Sequence, residues 1–138
     1  IVYSKEYNYA GKLDGTIELD GSMERLNLDG TRSPVRVSGL YLDDIKTSSG
    51  VYPEMSFQQS AYLKARTEEF PEEKYNGRII IRIAKDGEFD PVLLQNNVMF
   101  EGKEVDIERM DWEAFAGAHD IFKRLEFQKI LVRLAKYN

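Results

Sequence analysis

Residues 13–30 read LDGTIELDGSMERLNLDG. Three Asp-Gly pairs, Asp14-Gly15, Asp20-Gly21 and Asp29-Gly30, each follow a leucine, and a fourth stands at Asp86-Gly87. Asp-Gly between alternating apolar residues is the strongest short-range hairpin signal, because both residues tolerate the positive φ of a tight turn. The stretch therefore predicts a meander of short antiparallel strands at 1–13, 16–19, 23–28 and 35–42. Facing sets the registers. A three-residue loop at Asp14-Gly15 would pair Leu13 with Ile17 and keep one apolar face. A two-residue type I′ loop at Asp29-Gly30 would place Leu26 and Leu28 on the face of Val35 and Val37. Pro34 lacks an N–H, which predicts an edge or a bulge there.

Further along, 43–53 reads as a polar loop. Ser56 and Gln59 form a capping-box pattern, and good helix formers run on to Glu69. A helix over 56–69 is the preferred reading; a strand from 57 to 66 is the alternative, since Phe57, Gln59, Ala61, Leu63 and Ala65 also alternate. Arg78–Ala84 is the clearest strand, apolar on both faces near Ile80, which predicts a central position under a helix. Asp86-Gly87 and Glu101-Gly102 predict two more hairpins. The C-terminus reads as helix, with Asp111 as N-cap, Met110 and Phe115 as a hydrophobic staple, and a break or kink at Gly117 or Asp120. Together these predict one α+β domain over 1–138: an antiparallel, meander-rich sheet packed against a long C-terminal helix, with one shorter central helix.

The bulk composition excludes several functions. The 138 residues contain no cysteine and one histidine, His119. Disulfide scaffolds, thiolate catalysis, Cys-ligated metals and His-rich metal sites are thereby ruled out. The net charge of −5 argues against nonspecific nucleic-acid binding. No apolar run reaches the roughly 18 residues of a membrane span, which predicts a soluble chain. It opens on Ile1 rather than Met, so it reads as processed or trimmed, and export stays open.

Candidate sites are few. His119 has no nucleophile motif to serve and reads as structural. Glu104, Asp106 and Glu108 alternate with Val105 and Ile107, which would set three carboxylates on one strand face. A cation site or glycosidase pair can be built that way, but a solvated strand face has the same pattern. None of the Asp-Gly turns completes an EF-hand loop; Arg36 stands at the Glu position of the nearest fit. Glu68, Glu69, Glu72 and Glu73 read as a solvated helix end. Arg32-Ser-Pro-Val-Arg36 and Asp44–Gly50 resemble in part the Arg-x-x-x-Arg and Asp-x-Ser-x-x-Gly elements of PilZ cyclic-dinucleotide receptors. Lys46 and Ser49 stand where that pattern has Ser and Gly, and no such site is assigned.

The strongest functional signal is the last helix. On a helical wheel its apolar residues spread over roughly 240°, whereas a helix lying on a sheet needs little more than ~100°. Ile121 and Leu125 are expected to face the domain. Phe127, Ile130, Leu131, Leu134 and Tyr137 are expected to meet a protein partner or a second copy. Lys129, Arg133 and Lys136 read as a helix-end basic stripe favoured by the macrodipole, with anion contact as the weaker alternative. No catalytic residue, metal or cofactor is assigned. The sequence points to a non-catalytic interaction or assembly module, for example a subunit of a bacterial or viral (phage) complex. The alternative is a small-ligand-binding domain, or an enzyme working through carboxylates without Cys or His.

Overall fold

The computed structural model describes residues 1–26 and 31–137, apart from the side chains of Leu26, Pro53 and positions 134–137. In chain order the elements are β1 (Val2–Ser4), β2 (Tyr9–Gly11), β3 (Gly15–Leu26), β4 (Arg32–Lys46) and α1 (Pro53–Glu69). There follow β5 (Tyr75–Ile83), β6 (Phe89–Leu94), β7 (Asn97–Phe100), β8 (Lys103–Asp106) and α2 (Ile107–Tyr137). The fold is α+β, with the expected short central helix and long C-terminal helix. The main sheet has the order β3-β4-β5-β6, and β1-β2 and β7-β8 form two separate hairpins.

The expected meander is instead one long ribbon. β3 pairs antiparallel with β4 from Gly15↔Asp43 to Leu26↔Arg32 without interruption. Asp20-Gly21 is therefore not a turn: Asp20 lies opposite Ser38 and Gly21 opposite Val37. Continuing the ladder satisfies backbone groups that a reversal there would leave to water, and this outweighs the local turn preference. Asp14-Gly15 makes no hairpin either, since β2 pairs with β1 and not with β3. Leu13 consequently does not face Ile17 across a ladder. The Asp29-Gly30 turn lies outside the described residues, but its flanks are informative. Leu26 pairs with Arg32, and Met23 with Val35. That register is one residue off the two-residue loop. Asp86-Gly87 does turn β5 into β6, with Gly87 at φ 85° and the Glu88 carbonyl accepting from Ala84 N–H at 2.9 Å. Glu101 and Gly102, at φ 50° and 75°, join Phe100↔Lys103, as a type I′ turn requires.

β4 and β5 run parallel, so the sheet is mixed. A parallel pair needs a crossover, and α1 supplies it. α1 begins at Pro53, three residues before the expected Ser56 cap; proline is favoured in a first helical turn, where its missing N–H costs nothing. Gln59, expected in a capping box, lies mid-helix and is fully buried. At Gly39, φ is 98°, and the β4–β5 register shifts between Leu40 and Tyr41. Before this point β4 pairs only with β3, so Pro34 sits at an edge as its missing N–H demands. The sheet curls until β3 meets β6. Val37, Tyr41 and Ile79 form the core inside the curl, with Ile17, Leu19, Met23, Val35, Ile81 and Leu93 around them. β5 is central, as expected.

The outer face of β5 meets the helices. Arg78, fully buried, donates from Nη1 to the Ser56 carbonyl at 3.0 Å and lies 3.0 Å from Asp111 Oδ2. Asp111 is thus the partner of a buried cation and not an N-cap. The cap is Asp106, whose Oδ1 accepts from Arg109 N–H at 2.9 Å. α2 therefore starts five residues earlier than expected. It runs through Gly117 and Asp120 without a break, and the Met110–Phe115 staple has no helix start to serve.

Candidate functional site

α2 divides into an anchored half and a free half. The anchored half rests on an aromatic cluster. Tyr7 meets Trp112 edge-on, with ring centroids 4.8 Å apart, and Tyr9 meets Phe115 at 4.9 Å. His119 stacks on Phe115 at 5.9 Å, and its Nε2 lies 3.0 Å from the Tyr7 carbonyl oxygen. The only histidine thus pins the β1–β2 hairpin to α2. Glu68 holds the same hairpin from α1. Its carboxylate accepts from Ser4 Oγ at 2.7 Å, Lys5 N–H at 2.8 Å and Glu6 N–H at 3.1 Å, and these bonds depress its pKa. Glu73 pairs with Arg66 at 2.8 Å. Two members of the acidic run are therefore used within the fold.

Beyond His119 the helix leaves the body. Every described residue from Asp120 to Arg133 is exposed. Ile121 is 63% exposed, Phe122 60%, Leu125 54%, Phe127 65%, Ile130 56%, Leu131 46% and Val132 55%. Ile121 and Leu125 do not face the domain, contrary to expectation. Phe127, Ile130 and Leu131 are exposed too; the side chains of Leu134, Lys136 and Tyr137 are outside the description.

At about 100° per residue the free half carries two apolar stripes. Ile121, Phe122, Leu125 and Val132 make one; Phe127, Ile130 and Leu131 make the other, on roughly the opposite side. Residues 120–138 also hold five Lys or Arg against two Asp or Glu, a net charge of +3. With −5 for the whole chain, residues 1–119 carry −8. Of the basic stripe, Lys129 donates to Glu126 Oε1 at 2.9 Å and Arg133 is exposed.

The chain matches no known protein family, curated protein or solved structure.

The carboxylate strand face does not form. β8 ends at Asp106, Glu108 lies within α2, and no group of three or more acidic or histidine side chains is placed to hold a metal among the described residues. PilZ-like use of Arg32 and Arg36 finds no support, since Arg36 pairs with Asp20 and Arg32 with Glu24 across the ribbon.

A carboxylate pair does exist where no motif marked it. Asp14, just before β3, accepts from Ile45 N–H at 2.9 Å and stands beside Asp44 of β4, one step beyond the Gly15↔Asp43 pair. Asp44 is 3% exposed, with Lys46 Nζ 2.7 Å from its Oδ2; that ammonium also donates to Gln58 Oε1 of α1. Burial, then the bond to Asp14, push the Asp44 carboxyl up to about 6, while the bond from Asp44 lowers Asp14.

A raised carboxyl favours the protonated fold. Its stabilisation is complete below the ordinary carboxylate pKa and is lost as pH rises through about 6. Asp44→Asn keeps a donor toward Asp14 and removes the buried charge. The variant is expected to be more stable than wild type above pH 7 by on the order of 1–3 kcal/mol. The advantage should fade below about pH 4; urea unfolding at pH 4, 6 and 8 measures it. An advantage that grew on acidification would contradict the assignment.

Proposed function

We propose that this protein is a non-catalytic assembly module that docks through α2, a subunit of a larger complex of the bacterial or viral kind. The supporting observation is the free half of α2: seven large apolar side chains between Ile121 and Val132, each 46–65% exposed. Monomeric proteins rarely hold such a patch in water. A lone helix also gains little by persisting beyond its packed turns, and this supports a partner that covers it. The occupant favoured is a second copy. Its acidic body complements the basic helix, and the two opposed stripes admit neighbours on both sides.

Light scattering across a concentration series tests this. A mass of two or more chains is expected at micromolar concentration, falling to one on dilution, with amide exchange at 121–133 slow only in the assembled form. A monomer at the highest soluble concentration, with those amides exchanging freely, removes the self-assembly reading. The rival reading, an enzyme or ligand site built on carboxylates, has the Asp14–Asp44 pair in its favour. Neither residue lines the cleft between α1 and α2 or the mouth of the curled sheet.

A further inference from the structure

The mouth of the curled sheet holds a cavity of about 170 Å³. Its apolar wall is Val35, Val37, Tyr41 and Leu93, the rim of the core inside the curl. Polar residues line the rest of the space, among them Arg25 from the end of β3, Arg36 of β4, and Asn96 from the loop after β6. Arg25 and Asn96 each have one buried atom without a hydrogen-bond partner among the described residues: Arg25 Nε, a donor, and Asn96 Oδ1, an acceptor.

Asn96 is otherwise fixed. Its Nδ2 donates to the Asn76 carbonyl at 2.8 Å, and its own carbonyl accepts from Ile107 N–H at 2.8 Å and Glu108 N–H at 3.2 Å. The free Oδ1 is thus held in place by the start of α2. Arg25 makes no ion pair with any described residue. Neighbouring cations of the ribbon, Arg32 and Arg36, do pair. Buried polar atoms are almost always satisfied, and an exception calls for a missing water, ion or ligand.

We propose that this cavity binds a small organic carboxylate with an N–H or O–H donor beside the carboxyl group, an α-amino or α-hydroxy acid with a short apolar side chain. The carboxylate would accept from Arg25 Nε, the neighbouring donor would meet Asn96 Oδ1, and the side chain would lie against Tyr41, Val37 and Leu93. The two orphan atoms are of opposite sense, so a bare anion satisfies only one of them. The volume is below the ~300 Å³ at which drug-sized ligands begin to fit, which limits the ligand to amino-acid size. The site is separate from the free half of α2 and does not depend on the assembly proposal.

Nitrogen–proton NMR on the full chain tests it, following the Arg25 Nε–H signal and the amides of Asn96 and Gly77. The probes are L-leucine, 2-hydroxy-4-methylpentanoate, leucinamide and inorganic phosphate. Leucine and the hydroxy acid are expected to shift these signals saturably below about 10 mM. Leucinamide, which lacks the carboxylate, and phosphate, which lacks the apolar part, are expected to leave them unchanged. Arg25→Met should weaken leucine binding about tenfold or more, the loss of a hydrogen bond to a charged group. Leu93→Phe, which fills the cavity without touching the polar atoms, should also abolish it. No shift with either acid, or equal binding by the Arg25→Met protein, would show that the cavity holds only water.

Discussion

Asp111→Ala is expected to cost about 3–5 kcal/mol, as measured by urea unfolding at neutral pH. Asp111 Oδ2 lies 3.0 Å from Arg78 Nη1, with the two side chains 9% and 0% exposed. Removing the carboxylate leaves a guanidinium in the interior with only the Ser56 carbonyl as a bonded partner. Arg78 Nε and Nη2 have no hydrogen-bond partner even in the intact protein, so the cation has no other source of compensation. Against a typical total stability of about 5–15 kcal/mol, this is enough to leave a large unfolded fraction. Arg78→Met with Asp111→Leu should recover most of the loss, because a buried ion pair replaced by apolar groups of similar size is often neutral. A cost below about 1 kcal/mol for Asp111→Ala would mean that water reaches the pair.

The second large effect concerns α2. Leu125→Glu and Ile130→Glu lie on its two opposite stripes and are 54% and 56% exposed. Each is expected to convert an assembly to monomer in light scattering while moving the unfolding midpoint of the monomer very little, since substitutions at exposed positions usually fall within about 0.5 kcal/mol. Trp112→Glu is the contrast: it sits in the anchored half against Tyr7 and should destabilise the domain outright. If Leu125→Glu unfolds the protein as Trp112→Glu does, the free half packs on the body in solution. If both stripe variants keep the wild-type mass, α2 is not the contact.

Much of the fold was legible because it rests on local rules. The β-branched run at Arg78–Ala84 has no face to give to solvent, and β5 is central. Glu101-Gly102 and Asp86-Gly87 offer the positive φ a turn needs, and both are turns. The composition of 56–69 favours helix, and α1 forms. Asp20-Gly21 has the same local signal and fails, because a ladder with β4 on the far side of the ribbon decides whether the chain reverses there. No residue near position 20 carries that information.

The candidate sites follow the same division. The apolar excess of the last helix is a property of its sequence, visible without any structure, and Phe127, Ile130 and Leu131 are exposed in the fold. Which turns are anchored depends on where the β1–β2 hairpin and Arg78 lie in space, and so Ile121 and Leu125 were assigned to the wrong side. Asp14 and Asp44 stand thirty positions apart and meet only because β3 and β4 close on one another. Arg78 and Asp111 are more distant still in sequence. Arg25 and Asn96 come to one cavity because the sheet curls until β3 reaches β6. A sequence by itself determines which residues seek burial and which can turn. Which carboxylates stand side by side, and which polar atoms are left without a partner, is decided by long-range packing, because burial and distance exist only in the folded chain.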